Sequence, residues 1–158
     1  MNTISALLFF MIGHFFGAYM FYFFHRYIFH GSLGKYPLLK QWRLIHTKHH
    51  RNPNDPGSFF FPWWANLLIW VLAAGLFFVS YAFAIGLASF FAYYAYMHRS
   101  AHVGADTRSG RHHRSHHYGK ANANFSGAYP FIDKLFGALG NADIYYFSPL
   151  LQFFYFIL

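Results

Sequence analysis

Two long stretches without a formal charge limit what this chain can fold into. Ile4–Phe24, ISALLFFMIGHFFGAYMFYFF, runs for 21 residues, about 31 Å as an α-helix against a hydrocarbon core of roughly 30 Å. Phe59–Met97 runs for 39 residues, about 58 Å if wholly helical, which is nearly twice the bilayer thickness. A helical hairpin accommodates the second stretch, with its turn between Gly75 and Gly86, near Ser80. The expected spans are therefore about 4–24, 60–79 and 81–97. No basic segment precedes the first, and its apolar run exceeds the roughly 7 to 15 residues of a signal-peptide core, so it is read as an uncleaved anchor.

All 12 Lys and Arg fall into two blocks, Arg26–Arg51 and Arg99–Lys134. A hairpin between them returns the chain to the side it left, and the positive-inside rule makes that side the cytoplasm. Ile144–Leu158 has 15 residues interrupted by Pro149, which suits an interfacial segment better than another full span. The expected architecture is an all-α integral membrane protein, a single domain over 1–158. Its transmembrane bundle carries a cytosolic helical cap made from two histidine-rich blocks, 25–58 and 98–143. Nothing in the chain resembles a second domain for a nucleotide, flavin or haem, and no nucleic-acid partner is expected.

Composition narrows the chemistry. The chain has no cysteine, which removes disulfides, thiolate-held clusters and Cys-containing zinc sites. Its only acidic residues are Asp55, Asp106, Asp133 and Asp143, so a carboxylate-bridged bundle built on glutamates is excluded. Metal chemistry here must rest on imidazole nitrogen.

The 12 histidines supply it. HTKHH gives His46, His49 and His50, and HRSHH gives His113, His116 and His117. At about 100° per residue the first and last of each triplet lie 40° apart on a helix and the middle one 60° to the other side. HRSAH places His98 and His102 at i and i+4, with Cβ atoms about 5 to 6 Å apart. HRYIFH places His25 and His30 at i and i+5, about 140° apart on an ideal helix. That pair serves two metals or needs a local unwinding or π-bulge at the membrane boundary. One such pair is an ordinary accident, and a histidine run is often a solvated, titrating face; two identical triplets and two pairs on one side of the membrane are not. Basic neighbours also favour neutral imidazole, the ligating form.

Ten imidazoles exceed the capacity of one ion but suit two, with room for oxygen or water on each. Imidazole accepts zinc, copper, iron and nickel alike. The absence of a carboxylate pair or a Ser or Cys nucleophile argues against hydrolysis and for oxidative attack on an unactivated lipid chain, which requires O2 and iron.

The ordered set HRYIFH, HTKHH, HRSAH and HRSHH, with the hairpin between the second and third, resembles the fatty acid hydroxylase/sterol desaturase superfamily of membrane di-iron oxygenases. HHRNPNDPGSFFFP, with Pro53, Asp55 and Pro62, and NANFSGAYPFIDKLFG, with Asn124, Asp133, Phe136 and Gly137, match the family's segments after the second and last boxes. The likeness covers about His25–Gly137. It implies a di-iron monooxygenase of lipid biosynthesis that uses O2 and two electrons, placing one oxygen atom in a C–H bond of a fatty acyl or sterol-like lipid and releasing the other as water. Carried over, the ligands are His25, His30, His46, His49, His50, His98, His102, His113, His116 and His117, undivided between two iron ions. Zinc is a possible occupant after purification. Asp55, Asn124 and Asp133 are candidates to support the ligands. Electrons are expected from a separate reductase, ferredoxin or cytochrome b5-type carrier, with membrane lipids as surroundings and the bacterial inner membrane or endoplasmic reticulum as location. Relatives include carotenoid hydroxylases and desaturases, and DKLFG favours the acyl and sterol branch.

Two histidines stand outside that set. His14 precedes His25 by 11 residues, about 20° in azimuth but some 16 Å along the helix, too far to ligate. It is read as a buried, hydrogen-bonded helix–helix contact or, alternatively, a substrate-channel residue. His112 lies about 100° from His113 and 140° from His117. It points away from the cluster, to hydrogen-bond a ligand or water or to lie at the surface. A metal transporter is the rival in another class, but its site would sit near the bilayer midplane.

Overall fold

The computed structural model describes residues 2–104, 107–119 and 122–140, and all regular structure among them is helical. Helix α1 is Thr3–Phe23, continued by a π-helical segment, Phe24–Phe29, and α2 is Lys40–Arg51. The hairpin follows as α3, Trp63–Phe77, and α4, Tyr81–His102, and then come α5, Arg108–Tyr118, and the short α6, Pro130–Leu135. The segment 144–158, expected at the interface, lies outside the described residues.

Local chemistry sets these limits. The Asn2 side chain accepts from the Ser5 amide at 2.9 Å to start α1. The hairpin turns at Phe78 and Val79, and Ser80 caps α4 by accepting from the Phe83 amide. Thr107 caps α5 through the Gly110 amide. Each supplies an oxygen to an amide that has no partner within its helix.

Thr3–Phe29 and Pro56–Phe77 are long and apolar enough to cross a membrane, and only 28% and 17% of their most apolar stretches is buried. A soluble protein's core helix would be mostly covered. Here Trp63, Leu67, Val71, Leu72 and Phe77 face outward, which is stable in a hydrocarbon solvent. Helix α4, the third expected span, is as long but less apolar, and it buries Ala82, Ala84, Gly86, Leu87 and Phe90.

Close approach of α1 and α4 depends on glycine. A Cβ on Gly13 would stand 2.1 Å from the Phe83 carbonyl oxygen, and one on Gly86 would stand 2.0 Å from that of Phe10. Without side chains there the two backbones touch, as small residues permit between membrane helices. Toward the far end of both helices, Phe21, Tyr22, Phe90, Tyr94 and Met97 pack with Phe125, Tyr129 and Ile132 into one core. That core supports the ends of α1 and α4 beside α2 and α5, where ten of the histidines meet.

Candidate metal centre

The i, i+5 spacing of His25 and His30 is resolved by the π-helix. One extra residue per turn brings both rings to the same side, and the His30 amide donates to the His25 carbonyl. Across from them, α2 presents His46, His49 and His50, the end of α4 His98 and His102, and α5 His113, His116 and His117.

The ten rings form two groups of five, within each of which one nitrogen per ring lies within 4.8 Å of the others. The first holds His25, His30, His46, His50 and His116, and the second His49, His98, His102, His113 and His117. In the first group His46 Nε2 has Nε2 neighbours at 2.8 Å (His30), 2.9 Å (His50) and 3.0 Å (His25). In the second, His113 Nε2 is 3.0 Å from those of His102 and His117, and His49 Nε2 is 3.1 Å from His117 and 3.2 Å from His98. His50 and His117 stack across the divide with centroids 4.2 Å apart.

These nitrogens cannot be satisfied by one another. A ring nitrogen carries one lone pair or one hydrogen, whereas His46 Nε2 faces three neighbours. The other side of three rings settles their tautomers: His25 Nδ1–H donates to the Phe125 carbonyl, His98 Nδ1–H to Phe59 at 2.7 Å and His116 Nδ1–H to Ala123 at 2.7 Å. A carbonyl only accepts, so each Nδ1 carries the hydrogen and each Nε2 turns a lone pair inward. With nitrogen about 2.0–2.1 Å from an ion, ligands at right angles stand about 2.8–3.0 Å apart. Each group thus has the donor type and spacing to hold a metal ion.

Electrostatics keep the donors neutral. Burial first, and then the charges of neighbouring imidazoles, push His49 down to about 2. Burial, His116, His50 and Arg43 take His30 to about 3. His50 and His102 fall to about 4, burial again being the main cause. His46 and His113 shift the same way. Aromatic walls fix the rings: Phe29 stacks on His46 at 4.9 Å and Phe59 on His102 at 5.2 Å.

The remaining sequence candidates lie outside the two groups of five. His112 is buried, not at the surface, and its Nε2 lies 3.0 Å from Asp133 Oδ2 and 3.3 Å from Ser126 Oγ. Asn124 accepts from the Gly140 amide and donates to Ser115 Oγ. Asp55 caps the turn Pro56–Ser58, and the Asp55 carbonyl accepts from Ser58 Oγ–H, whose oxygen is 3.2 Å from His49 Nδ1. His14 lies in the α1–α4 contact. Ser89 Oγ–H is spent on the Gly86 carbonyl, so His14 Nδ1–H donates to Ser89 at 2.8 Å, and Tyr129 O–H donates to His14 Nε2 at 2.6 Å. Sequence reasoning missed the carbonyls of Phe59, Ala123 and Phe125, because backbone acceptors leave no side-chain signature, the turn-forming NANFSG being the available hint for the last two; it also missed the Ser58 hydroxyl, nine residues beyond His49.

Beside both groups is a cavity of about 190 Å³ bounded by His46, His49 and His98 and walled by Phe61, Ile69, Trp70, Phe91 and Ala95. His14 does not line it.

No curated protein and no solved structure matches the chain. The family model described as fatty acid hydroxylase matches residues 8–138, a stretch that contains all ten converging histidines and both flanking turns. The chain is therefore a member of the fatty acid hydroxylase family.

Proposed function

We propose that the protein is an O2-dependent di-iron monooxygenase that hydroxylates a C–H bond of a lipid chain. The observation that carries this reading is the meeting of two five-imidazole groups with one apolar cavity. His25, His30, His46, His50 and His116 would hold one iron and His49, His98, His102, His113 and His117 the other. Bound there, iron would supply O2 activation and insertion of one oxygen atom, two electrons and two protons carrying the other away as water.

The chain's own residues provide the rest. Nδ1 hydrogen bonds hold Nε2 lone pairs inward, burial suppresses their protonation, and the walls of Phe, Trp and Ile side chains exclude water while aligning an apolar substrate. At about 190 Å³ the cavity is below the roughly 300–1,000 Å³ of sites for drug-sized molecules. That favours a narrow acyl chain over the fused rings of a sterol or the ring of a carotenoid. The basic blocks favour a cytoplasmic site, and a net charge of +8 favours an acidic electron carrier as the separate donor.

The test is turnover of iron-loaded protein in lipid vesicles with a chemical reductant, a fatty acyl substrate and ¹⁸O2. A product carrying one ¹⁸O is expected. An unsaturated product without label would make the enzyme a desaturase, and no product together with metal uptake into the vesicles would favour a transporter.

A further inference from the structure

The two groups are braced by different segments, 123–125 for the first and 58–59 for the second. Resting on the ten-ligand reading above, we propose that Asp133, backed by His112, is a positioning residue for one of the two ions only, the one held by His25, His30, His46, His50 and His116.

Asp133 is fully buried and accepts three hydrogen bonds: from the Phe125 amide at 2.7 Å, the Ser126 amide at 2.9 Å and His112 Nε2–H at 3.0 Å. A carboxylate, as an acceptor only, aligns all three donors at once. The same loop turns its carbonyls the other way. Phe125 accepts from His25 Nδ1–H, and Ala123 accepts from His116 Nδ1–H. One carboxylate therefore fixes the Phe125–Ser126 peptide plane, whose carbonyl orients His25, and the Asn124–Phe125 plane before it; the Ala123 carbonyl that orients His116 lies one peptide further back, where the Asn124 amide donates to the Ala138 carbonyl at 2.8 Å. The loop needs such a hold, because Asn122 has φ 64° and Asn124 φ 61°, and a left-handed residue other than glycine costs energy that its surroundings must offset. The second group is braced elsewhere, by Ser58 Oγ on His49 and the Phe59 carbonyl on His98, neither of which touches Asp133.

The experiment titrates the purified, metal-stripped full chain in lipid nanodiscs with Co²⁺ against a competing chelator. Wild type is expected to take two ions. Asp133→Asn turns a nearly isosteric amide N–H toward donors, and it should weaken one ion about 10- to 100-fold, the usual effect of losing a ligand's supporting partner, while the other ion keeps its affinity. In a His98→Ala background the substitution should then remove the remaining tight ion, and in a His116→Ala background it should change nothing further. His112→Leu should weaken the same ion less, and His112→Gln, which keeps a donor toward Asp133, should restore it. Equal weakening of both ions, loss of the second group's ion, or no change overturns the proposal. If Asp133→Asn does not fold, the His112 pair decides on the same criteria. Wild type binding fewer than two ions removes the ten-ligand reading itself, whereas two ions indifferent to Asp133 remove this inference alone.

Discussion

Acidifying the metal-free protein should destabilise it below about pH 6.5, and two histidines set the scale. An unfolded chain protonates histidine near 6.5, whereas folded His49 resists to about 2 and His30 to about 3. Between those limits the unfolded state holds more protons, so stability falls as pH falls and is complete only above 6.5. At pH 5 the unfolded chain is 1.5 units below its own value, and at 1.36 kcal/mol per unit each of the two contributes a loss of about 2 kcal/mol. The pair together gives about 4 kcal/mol, and His46 and His113, shifted the same way, add to it. Against a typical folding stability of about 5–15 kcal/mol that is a large fraction, enough to lower the midpoint measurably. The measurement is the denaturant midpoint of stripped protein in detergent at pH 7.5, 6 and 5, followed by tryptophan fluorescence. Bound metal occupies the Nε2 lone pairs and should carry the folded state to lower pH. A midpoint that does not move between pH 7.5 and 5 would refute the claim that these imidazoles are buried neutral.

Replacing His14 with Phe deprives the buried Tyr129 hydroxyl of its acceptor, so a loss of about 1–3 kcal/mol in unfolding free energy is expected, with two ions retained on elemental analysis; loss of an ion would show that this contact reaches the metal centre. Ala95→Phe should fill the cavity, abolishing binding of a spin-labelled acyl chain while leaving metal content unchanged, and wild-type chain affinity would place the substrate elsewhere. His49→Ala should release the ion of the second group and His50→Ala that of the first, although both lie in one box. The two are told apart by the Co²⁺ spectra that remain, and identical residual spectra would refute the division.

Charge-free runs made the long helices legible, two of them apolar and long enough to cross a membrane, and the hairpin turn fell at Phe78 and Val79, next to Ser80. The π-helix was legible in part: i, i+5 spacing announced a conflict with the α-helix, and the structure resolved it by placing both rings in one group. The surroundings of His112 were not legible. Its azimuth showed that it left the cluster, but Asp133 is 21 residues away on α6, and that meeting depends on how a loop with left-handed residues at Asn122, Asn124 and Gly127 doubles back under α5. Similarly, His14 advertised a contact without naming Ser89 or Tyr129, whose positions follow from the glycine-permitted crossing of α1 and α4.

The division of each H-x2-H-H box shows where helical geometry stops informing. Spacing alone puts three rings on one face, the outer two 40° apart and the middle one 60° to the other side. A single ion above that face would draw all three. Two ions side by side draw the outer pair to one and the middle ring to the other, and that is the arrangement found, with His46 and His50 in the first group and His49 in the second. On α5 the roles are exchanged: His113 and His117 join the second group and His116 the first. Each group thus receives an i, i+4 pair from one of these helices and a single ring from the other. The fourth and fifth rings come from His25 and His30 for one group and from His98 and His102 for the other. The two groups thus draw on these helices reciprocally. Identical boxes suit this arrangement, because α2 and α5 contribute to the two groups in opposite proportion, and in each box the i+3 ring is the one that crosses.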